Sequence, residues 1–264
     1  MYELAYSRPV SLAEALALLE EDDGAQPISG GQTLMPVLRA RLAMPSRLVD
    51  IARLAELRGI RLVDGRLEIG AAMTHAEVAV DPLVQSHVPG LAQLAAGIGD
   101  AQVRHRGTIG GSVANNDPAA CYPSALLALG AVIVTSLRKL DADAFFQGMF
   151  ATALEPGELV TAVIFPVCSG AAYVKFRNPA SRFALIGVFA AKTDGGYRIA
   201  VTGGGNGVFR WREGEEHLDR GGTVDALDKV QLDRDLFTGD MHGSAEYRHH
   251  LVSVVTRRAL AHFL

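Results

Sequence analysis

Two glycine-centred loops constrain this chain more than any other feature: Ser29-Gly30-Gly31-Gln32-Thr33 and Thr108-Ile109-Gly110-Gly111-Ser112. Each follows an apolar segment and sets consecutive amides without bulky side chains beside a hydroxyl. A glycine pair admits positive φ and removes Cβ from the path of an approaching group, so successive N–H donors can converge on an anion. Together the two loops read as an anion cradle. Neither Gly-x-Gly-x-x-Gly nor Gly-x-x-x-x-Gly-Lys-Ser/Thr occurs, so the Rossmann and P-loop fingerprints are both missing. For an isolated Gly-Gly a tight turn is the simpler account, but the context of the first loop argues for more. Thr33 is placed to cap a helix over 33–42 with Leu34, Leu38 and Leu42 on one face, which puts the loop's amides at a positive helix end.

Hydrophobic periodicity fills in the rest. Ser11-Leu12-Ala13-Glu14 is a capping box opening a helix over 11–22, and Thr74-His75-Ala76-Glu77 is a second. Gln26–Ser29 and Arg47–Asp50 read as strands on either side of the helix at 33–42, Arg66–Ala71 as a strand, and 82–97 as one helix. Between 98 and 123 glycine, proline and asparagine are dense enough to predict a long irregular loop, and such loops are usually functional. A helix at Ser124–Leu129 and strands at Ala131–Thr135 and Glu158–Phe165 follow. After Gly170 come strands at Ala171–Phe176, Ala184–Ala191 and Tyr197–Thr202, a glycine-rich turn at 203–207, a polar linker and a final helix over 244–261. A boundary is expected near 167–172.

With 264 residues, 49% of them hydrophobic, the chain can bury a large core. A net charge of −4 provides no field for nucleic acid or anionic membrane. No segment reaches the length of a membrane span, and the first 24 residues lack the basic and apolar regions of a secretory signal, so a cytoplasmic location is expected. The two cysteines, Cys121 and Cys168, cannot supply the four thiolates an iron–sulfur cluster usually needs. The eight histidines show no metal-ligand spacing, and no nucleophile elbow is present. No metal site and no catalytic acid, base or nucleophile is assigned.

The segments SGGQTLMP (29–36), RLVDI (47–51), IGAAMTHAEV (69–78), VRHRGTIGGSVANNDPAACYP (103–123), KFRNPASRFALIGV (175–188) and SAEYRHHL (244–251) resemble, in order, the FAD-binding medium subunits of molybdenum hydroxylases of the carbon monoxide dehydrogenase and xanthine dehydrogenase type. The resemblance implies an α+β fold with a vanillyl-alcohol-oxidase-like FAD-binding domain over 1–168, in two α/β subdomains at about 1–54 and 55–168. A C-terminal domain over 169–264 would hold a three-stranded antiparallel sheet and helices. It implies FAD as cofactor, held by Ile28, Ser29, Gly30, Gly31, Gln32, Thr33 and Leu34; by Ile98 and Gly99; by Thr108, Gly110, Gly111 and Ser112; and by Asn115, Asp117, Cys121, Val160, Lys175 and Phe183. Cys121 stands where relatives commonly carry aspartate, and Phe183 where tyrosine is frequent. The implied role is electron transfer in a hetero-oligomer with an iron–sulfur small subunit and a molybdenum-cofactor large subunit. A stand-alone flavin oxidoreductase and a non-enzymatic nucleotide-binding module are the alternatives.

Overall fold

The computed structural model describes residues 1–264. Three larger sheets follow one another along the chain, with a two-stranded ribbon of Phe146–Gly148 and Ala151–Thr152 beside them. The first is parallel and three-stranded, with Arg47–Asp50 between Ala5–Ser7 and Ala25–Ile28. The helix Leu12–Glu20 packs on it through Ala15 and Leu19. The second sheet is antiparallel, in the order Ile60–Val63, Arg66–Gly70, Val160–Pro166, Val132–Thr135, Lys139–Asp141. The third is antiparallel and four-stranded: Ala171–Arg177, Ala184–Thr193, Gly196–Thr202 and Phe209–Arg210, backed by the helix Ala245–Leu260. No helix is long and apolar enough to cross a membrane.

Local signals place most element starts. Ser11 and Ser244 each cap a helix through their hydroxyls, and the Thr74–Glu77 capping box is fully formed. The box at Ser11 is half formed, because the Glu14 carboxylate takes the Val10 amide instead of the Ser11 amide.

Several expectations are corrected. The 82–97 segment is two helices, Pro82–His87 and Pro89–Ala96: Pro89 lacks an N–H and drives Val88 out of the α region, to φ −143° and ψ 65°. The helix after the first loop is only Leu34–Arg39, and Thr33 does not cap it, having helical φ itself. Leu38 is buried but Leu42 is 79% exposed, so the apolar face stops a turn early. The irregular segment 98–123 contains two short helices, Ala101–Arg104 and Ile109–Asn115. The expected polar linker after 207 folds as a fourth strand and the helix Arg212–Asp219, anchored by the fully buried Trp211.

The largest apolar core gathers Leu67, Tyr122, Leu126, Phe145, Val163 and Phe165 with Phe189, Ala191 and Ala200 of the third sheet. All eight residues of the helix Tyr122–Leu129 are buried, so this helix is the shared wall between the second and third sheets.

Candidate functional site

One cavity of about 730 Å³ runs between the three layers. Every residue expected from the sequence to hold a cofactor lines it, from Ile28–Leu34 through Ile98, Gly99, Thr108, Gly110–Ser112, Asn115, Asp117, Cys121 and Val160 to Lys175 and Phe183. The two glycine loops meet there. Ser29 Oγ lies 3.1 Å from Thr108 Oγ1, across 79 residues of sequence, and a Cβ on Gly30 would stand 2.4 Å from the Arg106 carbonyl oxygen.

The loops are chemically unequal, which their sequences did not reveal. The amides of Ser29, Gly30, Gly31, Gln32 and Thr33 donate to no group of the protein. In the second loop the Ile109 amide donates to Met73 O, Gly110 to Ala71 O, Gly111 to Thr108 Oγ1 and Ser112 to Thr108 O. The bare cradle is therefore the first loop. The second supplies the Thr108 and Ser112 side chains and a tightly packed wall. Positive φ is also confined to Gly31 among the four loop glycines, at +69°. Gly110 is small for a different reason, since its Cβ would stand 2.5 Å from Ala71 Cβ.

At the other end, Lys175 on the first strand of the third sheet places Nζ 3.4 Å from Cys121 Sγ. No carboxylate lies within ion-pair distance of that ammonium. Phe183, 49% exposed, stands at the mouth after Arg182, whose φ is +62°. Ile98 and Gly99 form part of the facing wall, and Arg104 Nη1 holds them by donating to both carbonyls, at 2.9 and 3.3 Å.

Asn115 and Asp117 line the cavity, while Asn116 between them is buried and donates to Gly148 O and Ala151 O. Asp117 also accepts the Ala119 amide at 2.8 Å, so the turn expected before Pro118 and a cavity-lining position coexist. Thr202 of the third sheet clamps the same loop by donating to Pro118 O and Ala120 O. Glu158 lies on the cavity wall: burial pushes its pKa up, but Arg138, Thr135 and the Glu155 amide outweigh that and hold the carboxyl below its ordinary value.

Residues 2–168 match the family described as the FAD binding domain in molybdopterin dehydrogenase. The chain belongs to this family. It is 36% identical to the glyceraldehyde dehydrogenase medium chain of Sulfolobus acidocaldarius, over 97% of each chain. It is 34% identical to the carbon monoxide dehydrogenase medium chain of Afipia carboxidovorans, over 97% of this chain and 94% of that one. Its fold superposes on a chain of reconstituted CO dehydrogenase from Oligotropha carboxidovorans with a TM-score of 0.90 at 32% identity, covering 99% and 98% of the two chains. Quinoline 2-oxidoreductase from Pseudomonas putida 86 gives the same TM-score at 29% identity, covering 99% and 97%. This family membership makes the chain the FAD-binding subunit of a molybdenum-dependent oxidoreductase, with the flavin domain of the vanillyl-alcohol-oxidase type.

The cavity fits that cofactor: five unpaired amides for a diphosphate, an apolar mid-section and a cation with an aromatic ring at the far end. Sequence reasoning missed Ala71 and Ala72, which lie in a matching segment but were given no role, Leu154 and Leu159, which line the cavity from the connection ahead of the strand Val160–Pro166, and His75, which was set aside with the other histidines.

Proposed function

We propose that the chain holds FAD along the 730 Å³ cavity, with the diphosphate on the amides of residues 29–33 and the flavin ring toward Lys175 and Phe183. The observation that carries this reading is the row of five consecutive amides without partners, opening into one cavity that also reaches the third sheet. An anion bound there gains charge-assisted hydrogen bonds from donors already fixed by the fold, so little ordering is needed on binding. Ser29 and Thr108 hydroxyls flank the cradle, Ile98 and Phe183 offer apolar surface to an aromatic ring, and Lys175 presents a cation to it. Bound FAD lets electrons arriving from iron–sulfur clusters of a small partner subunit, and ultimately from a molybdenum-bearing large subunit, leave to an external acceptor. We place the complex in the cytoplasm and assign cofactor retention mainly to residues 1–168, with residues 169–264 closing the ring end.

The isolated chain should bind FAD without a covalent bond and release it on denaturation. Reduced by dithionite, the flavoprotein should pass electrons to an artificial acceptor, yet show no reduction by purines, aldehydes or carbon monoxide. Co-expression with the two partner chains should yield a complex that co-purifies with iron and molybdenum. Rapid flavin reduction by one of those substrates, in a preparation free of both metals, would identify an independent oxidase instead.

A further inference from the structure

His75 is a buried polar group that nothing above employs. It opens the helix His75–Val80, is 4% exposed and lines the cofactor cavity. Its amide is fixed to Gly107 O at 3.0 Å, and its ring lies against Gly107 so closely that a Cβ there would stand 2.6 Å from Nε2. The ring also lies tilted against Tyr122, centroids 5.4 Å apart. Nδ1 is sealed from solvent without a hydrogen-bond partner. Burial, assisted by the charge of Arg104, brings the imidazole pKa down to about 4, so the ring is neutral. A neutral imidazole carries one proton. Neither ring nitrogen has a partner within the protein, and Nδ1 is sealed, so Nε2, beside the Gly107 backbone, is the nitrogen left to meet a ligand, and it does so as a donor when it carries the proton.

We propose that His75 is a further cofactor-binding residue, whose uncharged Nε2–H donates to an oxygen of the diphosphate or ribityl portion of FAD. This rests on the FAD reading above. The ring is held between the Gly107 backbone and Tyr122 with its Nε2 unspent, and a ligand oxygen in the cavity would give that nitrogen the partner the protein does not supply. The site's other donors to the cofactor linker come from the first loop, which packs against Gly107 at Gly30. A donor beside Gly107 would grip the linker next to the second loop, whose amides at Ile109, Gly110, Gly111 and Ser112 are already committed within the protein.

Deflavinated wild-type protein, His75→Phe and His75→Gln are titrated with FAD, following quenching of flavin fluorescence. Phenylalanine keeps the ring volume against Tyr122 but has no donor, and glutamine restores an N–H. Binding should weaken about tenfold to a hundredfold in His75→Phe and be largely recovered in His75→Gln. Equal affinity for wild type and His75→Phe overturns the proposal, as does equal weakening in both variants, which marks a purely structural ring. Failure of wild type to bind FAD at all would instead remove the cofactor reading itself. If His75→Phe does not fold, NMR of wild-type protein with isotope-labelled histidine decides the matter: FAD must bring out a slowly exchanging Nε2–H resonance, and its absence in the saturated protein overturns the assignment.

Discussion

Cys121 shows how one substitution in a motif redistributes charge in a site. Its thiol is 6% exposed and touches Lys175 Nζ, an ammonium with no carboxylate beside it. In Cys121→Asp the new carboxylate would be buried next to a waiting cation. Without such a partner, a buried charge costs about 3–5 kcal/mol, so a variant whose melting temperature stays within a few degrees of wild type would demonstrate the pairing. The added negative charge should also lower the flavin midpoint potential, because reduction places negative charge on the ring. Spectroelectrochemistry and thermal unfolding check the two expectations together. Severe destabilisation with an unchanged potential would mean that Cys121 is simply core. The sequence flagged this position by its departure from a pattern, whereas His75 carried no such flag: its isolation comes from Gly107 and Tyr122, which no local spacing places against it.

The two glycine loops look alike along the chain and differ once folded, and single substitutions should separate them. Gly31 needs φ of +69°, and a Cβ there would meet only the flexible side chain of Met35, whose Cγ would stand 3.2 Å away and have to give a little. Gly31→Val therefore strains the backbone and intrudes on the free amides. FAD binding should weaken by more than about tenfold while most of the fold survives. Gly110 lies in a helix at ordinary φ, packed on the Ala71 backbone, where a Cβ would stand 2.8 Å from Ala71 O. Gly110→Ala should destabilise the protein by roughly 1–3 kcal/mol, the range of overpacked cores. FAD titration and urea unfolding distinguish the two, and a Gly31→Val protein with wild-type affinity would move the cradle elsewhere. Caps at this level were legible at Ser11 and Thr74, because each acts within a few residues. The missed break at Val88–Pro89 was equally local; a continuous apolar face across 82–97 concealed it.

The largest core crosses the boundary expected near 167–172. Phe189, Ala191 and Ala200 pack into the same cluster as Leu67, Tyr122 and Val163. Lys175 and Phe183 complete a cavity whose cradle begins at Ile28. A fragment ending at residue 168 would uncover one side of the Tyr122–Leu129 helix and lose the Thr202 clamp on Pro118 and Ala120. Such a fragment should aggregate or melt without cooperativity, whereas the full chain should unfold in one transition about this shared core. A sharp, reversible transition in the fragment would show that the two regions fold independently.

Composition, capping boxes and glycine loops were enough to expect a chain of mixed helices and strands with glycine loops suited to an anion and no cluster thiols, since these depend on covalent neighbours and on side-chain period. The matching segments extended that to an α+β fold, to FAD and to a set of candidate residues all of which line one cavity. Whether an amide is spent or free was another matter. Gly110 and Gly111 give their N–H groups to Ala71 and Thr108, whereas Gly30 and Gly31 keep theirs, and sequence cannot register that difference. Donors become available, and rings such as His75 become stranded, through contacts between segments tens of residues apart. Packing three layers around one cleft fixes those contacts.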